Sequence, residues 1–185
     1  MAELTWTLAW EADLSAADHR DLSHLLASIY PAHAAVLQDA RSWSGARPEA
    51  RIVGHLGGEP VAHLGILRRF LRVGTTGRSV LVGDVGLVGV TPDARGRGVG
   101  GALLGECASA LVALRLPFGF LTCRPDVVPF YAHGGWVQIA GQVTRMIDNT
   151  EVPETYSGPA LVLPVLSRVD LWPRSHMIVR DGLEV

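Results

Sequence analysis

The sequence predicts a mixed α+β fold in which a mostly antiparallel sheet is flanked by helices. Segments with the two-residue alternation of strands outnumber those with helical periodicity, and three strand-like segments follow one another without a helix between them. A glycine-rich loop then leads from a strand into an amphipathic helix. Runs of strands interrupted by few helices are typical of α+β domains.

The first part of the chain predicts one strand and one helix before a loop. Residues 5–10, TWTLAW, alternate large apolar residues with smaller ones, which indicates a half-buried strand. Ser15 stands three residues before Asp18 in a capping-box pattern, and Pro31 ends the helix that follows. Residues 32–49 have no period, and we expect them to form a loop on the substrate side.

The rest of the chain predicts most of the sheet. Residues 51–90 contain two glycine-rich breaks and therefore predict three antiparallel strands in succession. A helix with leucines at helical spacing follows at 103–114, and PFGFLTC at 117–123 predicts a further strand. The segment VVPFYAHGGW at 127–136 predicts a short helix that glycine ends, with more strands beyond it.

Length and composition limit the class of protein. The 185 residues suit one domain, spanning 1–185, and no run approaches the ~18–20 apolar residues that cross a bilayer. The formal net charge of −2 leaves no basic stripe for nucleic acid. No basic segment follows Met1, and Cys107 and Cys123 are too few for a disulfide framework, so we interpret both as small apolar residues. We expect a cytoplasmic protein with no nucleic-acid or membrane partner.

The segment VTPDARGRGVGGALLGE, Val90–Glu106, contains two overlapping glycine patterns. Gly96, Gly98 and Gly101 spell the G-x-G-x-x-G of dinucleotide-binding folds. Such a site needs an opening βα unit and an acid about 20 residues further on, but this loop follows two hairpin strands and the first acid is Asp126. A Walker loop is disfavoured because Gly-Lys-Ser/Thr is absent.

The second pattern, R-x-x-G-x-G, predicts a loop that binds a pyrophosphate. Successive N–H groups at a helix start favour an anion, glycines let it approach the main chain, and two arginines add positive charge. The loop residues predicted to bind the cofactor are Arg95, Gly96, Arg97, Gly98, Val99, Gly100 and Gly101. The alternative is a tight glycine turn without a ligand.

A second motif lies one helix and one strand beyond this loop, where PFYAHGGW places Phe-Tyr at 130–131 and Gly-Trp at 135–136. Together the two motifs resemble those of the GCN5-related N-acetyltransferase (GNAT) superfamily. In that superfamily R-x-x-G-x-G binds the pyrophosphate of coenzyme A, and F-Y-x-x-x-G-[F/W] supplies a tyrosine near its sulfur. The resemblance covers about Ile52 to Gly141. It implies a GNAT sheet splayed between strands 4 and 5, acetyl-CoA as co-substrate and no metal.

The resemblance also implies roles for individual residues. The backbone of Val88, Gly89 and Val90 would bind the pantetheine amides as an added strand does. Tyr131 would protonate the departing thiolate, since a phenol with a pKa of about 10 suits this step; the alternative is a core aromatic. Asp84, on the same strand face as Val88 by even spacing, would be the base, and its alternative is an acid in a structural pair.

Two closer resemblances concern the acceptor. Residues 41–54, 62–74 and 161–173 are similar to the rhizobial nodulation-factor N-acyltransferases, which put fatty acyl groups on the amine of a chitin-type sugar. The arrangement of motifs and the C-terminal segment also resemble the aminoglycoside 2′-N-acetyltransferases, which acetylate an amino sugar of an antibiotic. Both resemblances imply a small-molecule substrate with an amino-sugar nitrogen.

The glycine loop favours the second resemblance, because it is complete here and degenerate in the nodulation enzymes. We therefore predict an aminoglycoside N-acetyltransferase that uses acetyl-CoA, confers antibiotic resistance and forms a homodimer, with kasugamycin among the candidate drugs. Gly86 stands where the aminoglycoside enzymes carry an acid, so Asp84 has to substitute. The alternatives are a long-chain N-acyltransferase acting on a chitooligosaccharide amine and a non-catalytic acyl-CoA binding module.

Carboxylates and one aromatic residue are predicted to bind a polycationic acceptor. The C-terminal DGLEV offers Asp181, Glu184 and the carboxylate of Val185, unless it is a frayed terminus. Asp39 adds a charge, and Trp43 offers a sugar-stacking face unless it packs into a satellite core. The histidines do not have metal-ligand spacing, so we expect no metal.

Overall fold

A computed structural model of the chain describes residues 3–147, 150, 152–174 and 176–185. The strands are β1 (Leu4–Trp10), β2 (Ala50–Leu56), β3 (Glu59–Val73), β4 (Ser79–Val90), β5 (Phe118–Thr122), β6 (Val137–Gln138), β7 (Thr144–Ile147), β8 (Pro153–Tyr156), β9 (Ala160–Pro164) and β10 (Ile178–Leu183). The α-helices are α1 (Ala16–Ile29), α2 (Val99–Ala113) and α3 (Val128–His133). This mixed α+β architecture, with a mostly antiparallel sheet and three helices, confirms the predicted fold class.

The chain divides into two compact units. The first comprises Met1–Leu67, Gly86–Cys107 and Val185, and the second comprises Arg68–Val85 and Ala108–Glu184. Strands β3 and β4 and helix α2 contribute residues to both. A single domain over 1–185 stays a prediction.

In the first unit, β1 pairs antiparallel with β2, and β2 pairs antiparallel with β3. Helix α1 begins as the sequence predicts: the Ser15 hydroxyl accepts from the Asp18 N–H, and the Asp18 carboxylate accepts from the Ser15 N–H at 2.7 Å. The apolar face of α1 packs Leu22, Leu25 and Ile29 against Val53 of β2. A capped helix thus lies on the three-stranded part of the sheet.

In the second unit, the strand order is β6-β9-β5-β4-β3-β10-β7-β8. The β4–β5 and β7–β10 pairs are parallel, whereas β5–β9, β6–β9, β3–β10 and β7–β8 are antiparallel. Trp172 stacks on Phe120 and meets Phe118 edge to face, which centres the core on β5.

The pairing between β4 and β5 matters for the candidate site. Its register joins Val82–Asp84 to Phe118–Phe120, while β4 continues to Val90. The residues predicted to bind pantetheine, Val88–Val90, therefore lie beyond this register.

The C-terminal segment and the loop before β2 make more contacts with the rest of the protein than their sequences predict. The C-terminal segment forms β10, in which Ile178 pairs with Val73, and Asp181 forms an exposed ion pair with Arg72. In the loop before β2, Ser42 is fully buried and its hydroxyl hydrogen-bonds to the buried imidazole of His19. Among the described residues, no helix has the length and apolar character needed to cross a bilayer.

Candidate active site

The glycine loop takes a backbone shape that requires glycine. Gly96 and Gly98 have φ values of 73° and 78°, in the left-handed region that side chains disfavour. A Cβ built on Gly96, Gly98 or Gly101 would meet no heavy atom within 4 Å. The loop is therefore shaped by its glycines but leaves the space beside them open, which fits a pyrophosphate that approaches the main chain.

The rest of the loop connects β4 to α2. The Arg95 Nε donates to the Val90 carbonyl at 3.1 Å, and the Ala102 N–H donates to the Gly98 carbonyl at 3.1 Å. Val99 is buried, while Arg97 is exposed. Of the predicted cofactor residues, Arg95–Gly98 form the turn, and Val99, Gly100 and Gly101 are the first residues of α2.

Substituting Gly98 tests this loop. We expect Gly98→Val to weaken coenzyme A binding about tenfold or more, because a branched residue at positive φ strains the turn and fills the open space. Gly101→Ala, where no positive φ is required, should weaken binding without strain. Calorimetric titration of folded variants measures both effects.

Gly105→Ala, on the exposed side of α2, is the matched control, and we expect it to bind coenzyme A as the wild type does. Equal affinity of wild type, Gly98→Val and Gly101→Ala would remove the loop from the site.

The strand segment after the β4–β5 register has an unusual backbone. Leu87 has a φ of 53°, a left-handed conformation that costs a non-glycine residue about 1–3 kcal/mol. Its carbonyl accepts a hydrogen bond from His63 Nδ1 at 2.9 Å. The next carbonyl, that of Val88, accepts from the Tyr30 hydroxyl at 2.5 Å. Side chains therefore bind two successive carbonyls of β4.

These contacts limit what the predicted pantetheine segment can offer. The Val88 carbonyl already has a donor within the protein. A Cβ on Gly89 would clash with the Cγ2 of Ile29, so α1 lies against this strand at a distance that only glycine allows. We still predict that the backbone of Gly89 and Val90 binds the donor. Val88 contributes less, because its carbonyl already accepts from Tyr30.

A buried polar cluster in the first unit is absent from the sequence-based expectations. The Arg51 side chain is fully buried, and its guanidinium donates to Glu11 at 2.6 Å, to the Ser42 carbonyl at 2.9 Å and to His63 at 3.2 Å. Burial raises the pKa of Glu11, but hydrogen bonds from Arg51 and Arg47 outweigh it and the net shift is downward. An arginine within the apolar run RIVG was the available signal, since a buried charge needs partners.

Trp43 and Asp39, the two loop residues predicted to bind the acceptor, both contact other residues of the protein. Arg47 lies over the Trp43 ring, 4.6 Å from its centroid, and His19 meets that ring edge to face at 5.8 Å. Asp39 is exposed, has a φ of 54°, and its carbonyl accepts from Ser23 at 2.8 Å. Sugar stacking on the Arg47 side of Trp43 would require Arg47 to move.

Asp84 lies in a buried cluster of charges in the second unit. Its Oδ1 accepts from Arg180 at 3.0 Å, and its Oδ2 is 2.9 Å from the Arg180 Nε and 3.2 Å from the Arg69 Nε, within ion-pair distance. Asp84 and Arg180 have no exposed side-chain surface. Burial lowers the pKa of Arg180, but Asp84 and Glu184 outweigh it, so the net shift is upward.

This geometry matches the structural-pair alternative for Asp84. The even-spacing argument that placed Asp84 on the face of Val88 is weakened, because left-handed Leu87 interrupts the alternation of the strand between them. A role as base stays a prediction for Asp84, whose buried carboxylate meets two guanidinium groups.

Glu184 is the exposed carboxylate of the same cluster. It accepts from the Thr122 hydroxyl, lies 3.3 Å from the Arg180 Nη1, and 44% of its side chain is exposed. The structure thus links two predicted residues, Asp84 and Glu184, through Arg180. Val185 is buried in the first unit, where a Cβ on Gly86 would clash with its carbonyl.

Tyr131 is buried in α3 and held by aromatic neighbours. Its ring meets Phe130 at 5.0 Å and Trp136 at 5.9 Å between centroids, both near edge to face. Glycine at 135, with a φ of 83°, turns the chain directly before Trp136. These contacts orient the ring, as both an acid and a core residue would require.

Thiol chemistry is not favoured by either cysteine. Burial raises the pKa of the Cys107 thiol to about 12, and burial, followed by Asp126 and Glu184, raises that of Cys123 to about 11. Both are protonated at neutral pH. Within the described ranges, no group of three or more His, Cys, Asp or Glu residues could hold a metal ion.

Comparison with known proteins decides the family. The family model described as NodA, nodulation protein A, matches residues 1–185. The chain belongs to the NodA family. Nodulation protein A of Azorhizobium caulinodans is 34% identical over 201 residues, which cover 100% of this chain and 86% of that protein. Nodulation protein A of Rhizobium tropici is 33% identical over 197 residues, which cover 100% and 99%.

Solved structures share the fold of this NodA-family chain. The GNAT family N-acetyltransferase YhbS from Escherichia coli, solved in complex with CoA, matches with a TM-score of 0.66 at 15% identity over 98% of this chain and 91% of that one. Escherichia coli ElaA matches with a TM-score of 0.61 at 17% identity over 87% and 99%. The GNAT fold predicted from the two motifs is confirmed.

The family membership corrects the acceptor. The prediction of an aminoglycoside acetyltransferase that confers antibiotic resistance is wrong, because the chain matches the NodA family over its whole length. The complete glycine loop does not identify the acceptor, because such a loop binds the donor. The prediction of an acetyl-CoA-dependent N-acetyltransferase is confirmed at the level of an N-acyltransferase that uses an acyl-CoA.

Proposed function

We propose that this chain transfers a fatty acyl group from a coenzyme A thioester to the free amine of a chitin-type oligosaccharide. The match of residues 1–185 to the NodA family carries the proposal, because the nodulation-factor N-acyltransferases have this activity. The open, glycine-shaped loop before α2 supports a donor that carries a pyrophosphate.

The donor would be bound by main-chain groups. The N–H groups from Gly96 to Gly101 and the N-terminus of α2 would hold its pyrophosphate, with Arg97 adding positive charge. The backbone of Gly89 and Val90 would hold its pantetheine amides. When bound, the donor supplies an acyl carbonyl activated by a thiolate leaving group.

Two protons have to move during transfer. As the amine nitrogen forms the C–N bond and the C–S bond breaks, Tyr131 would give its phenolic proton to the departing sulfur. The nitrogen loses a proton to a base, for which Asp84 stays our prediction. Because Asp84 has no exposed surface and Arg180 stays protonated, the proton would reach Asp84 through water.

The predicted acceptor contacts are stated for each unit by itself. In the second unit, Glu184, with 44% of its side chain exposed, suits an ammonium group. In the first unit, Asp39 offers an exposed carboxylate. Trp43 suits a sugar ring, provided that Arg47 leaves the face it covers. A homodimer and a cytoplasmic location also stay predictions.

A donor and acceptor matrix tests the function. We expect palmitoyl-CoA to acylate a chitin oligomer that carries one free amine, with one thiol released for each acyl group gained by mass. The fully N-acetylated oligomer, which has no free amine, should give no product.

Faster transfer from acetyl-CoA than from palmitoyl-CoA would contradict a fatty acyl donor. Tight binding of both donors with no product on the free amine would instead support a non-catalytic acyl-CoA binding module.

A further inference from the structure

His63 is a buried imidazole whose two nitrogens have different partners. The residue, on β3, has no exposed surface. Its Nε2 lies 3.2 Å from the Arg51 Nη1, and its Nδ1 lies 2.9 Å from the Leu87 carbonyl oxygen. A guanidinium group only donates and a carbonyl only accepts, so Nε2 is unprotonated and Nδ1 carries the hydrogen. The contacts therefore specify one neutral tautomer.

The surroundings keep this tautomer. Arg51 from β2 cannot turn away, because Glu11 and the Ser42 carbonyl hold the same guanidinium. Among the described residues, the charged groups that act on the ring are Arg51 and, behind it, Glu11, and β4 contributes the Leu87 carbonyl. Burial, with Arg51 next, lowers the pKa of His63 to about 3.

The hydrogen bond from His63 acts on an unusual peptide. Leu87 is left-handed, and its carbonyl accepts a hydrogen bond from His63 Nδ1. The next carbonyl, that of Val88, accepts from the Tyr30 hydroxyl. The hydrogen bond from His63 therefore reaches the peptide from which β4 continues to Val88–Val90.

We propose that His63 is a positioning residue for acyl transfer, a neutral Nδ1–H donor that holds Leu87 left-handed and so orients Val88–Val90 toward the donor substrate. The proposal rests on the proposed function, which assigns the pantetheine arm to this segment. His63 itself touches no reacting atom.

Two isosteric variants separate the two nitrogens. His63→Asn places an amide donor near the Nδ1 position, whereas His63→Gln places its polar end near Nε2. We expect His63→Gln and His63→Leu to weaken coenzyme A binding and kcat/KM for the acyl donor about tenfold or more, the scale of one lost buried hydrogen bond. His63→Asn should keep most of the wild-type affinity for coenzyme A and most of the wild-type kcat/KM for the acyl donor. The acceptor KM should change little in all three variants.

The control is His24→Ala, an exposed histidine of α1, which should bind and react as the wild type does. Affinity is measured by calorimetry with coenzyme A alone, independently of turnover. Equal losses in the Asn and Gln variants, or unchanged affinity in Gln, would overturn the role of His63. A wild type that binds coenzyme A but acylates no chitin amine would contradict only the proposed function.

A spectroscopic measurement tests the wild type without any variant. Two-dimensional ¹H–¹⁵N spectra should show His63 as the Nδ1–H tautomer, unchanged from neutral pH down to pH 5. A protonated Nε2, or a ring that titrates near its ordinary pKa of about 6.5, would overturn the proposal.

The same histidine makes the free energy of unfolding depend on pH. Unfolded His63 takes up a proton near pH 6.5, at about its ordinary pKa, whereas the folded residue does so only near its lowered pKa of about 3. The contribution of neutral His63 to the free energy of unfolding is therefore fully present above pH about 6.5, and it falls as the pH drops from about 6.5 to about 3. Urea titrations should show a smaller loss in His63→Asn, while Glu11 contributes equally to both proteins. If the free energy of unfolding fell equally steeply with pH in the wild type and in His63→Asn, a buried neutral imidazole at 63 would be contradicted.

Discussion

Replacing Tyr131 by phenylalanine should lower kcat about 100-fold or more, the scale of a lost general acid, with little change in the acyl donor KM. The ring keeps its contacts with Phe130 and Trp136, so packing persists while the proton donor is lost. Steady-state rates under conditions where chemistry limits turnover measure the effect. The defect should shrink with donors whose leaving thiol is more acidic.

Tyr156→Phe is the matched control for this substitution. The Tyr156 hydroxyl donates to the Cys123 carbonyl at 2.5 Å, so this variant loses a tyrosine hydroxyl and its hydrogen bond but should keep kcat. Wild-type turnover in Tyr131→Phe would show that Tyr131 is a packed aromatic residue and that the acid lies elsewhere.

Removing the buried carboxylate of Asp84 should cost about 3–5 kcal/mol of unfolding free energy, the usual result of leaving a buried charge without its partner. Asp84→Ala leaves the fully buried Arg180 with Glu184 as its ion-pair partner among the described residues, and it also removes the carboxylate beside Arg69. Urea denaturation measures the loss. Asp126→Ala, which removes the exposed Arg124–Asp126 pair, should change stability by no more than about 1 kcal/mol.

A double variant separates the two roles considered for Asp84. Asp84→Leu with Arg180→Met removes the fully buried pair and should regain part of the stability, because apolar replacements of buried ion pairs are tolerated. Arg69 loses its carboxylate partner in both Asp84→Ala and the double variant, so this loss is common to the two. If Asp84 is the base, turnover stays low in this stable double variant. Recovery of both stability and turnover would establish the pair as structural, and wild-type stability of Asp84→Ala would contradict the ion pair itself.

What the sequence predicted well has local causes. The capping box at Ser15 and the left-handed glycines at 96 and 98 depend on neighbouring residues, so short motifs report them. The fold was predicted from two short motifs, the glycine loop at 95–100 and the Phe-Tyr motif at 130–136, which lie one helix and one strand apart.

What the sequence did not predict depends on distant partners. Asp84 and Arg180 are 96 residues apart, and the link from His63 to Leu87 spans 24, so no local period reveals either pair. The even spacing from Asp84 to Val88 places both on one face only if the strand between them is regular. The left-handed Leu87 interrupts that strand, and the sequence gives no sign of it.

The close approach of Gly89 to Ile29 has a consequence for how the family can diverge. A methyl group at 89 would occupy the space of the Ile29 side chain, so the strand that should hold the donor and the end of α1 cannot change independently. A larger residue on β4 would be accepted only after a smaller one had appeared at 29, and an enlarged residue at 29 would push the strand aside. Substitutions on a helix without a predicted catalytic residue are thus a route by which selection could retune donor choice, and we expect positions 29 and 89 to covary among relatives with different acyl donors.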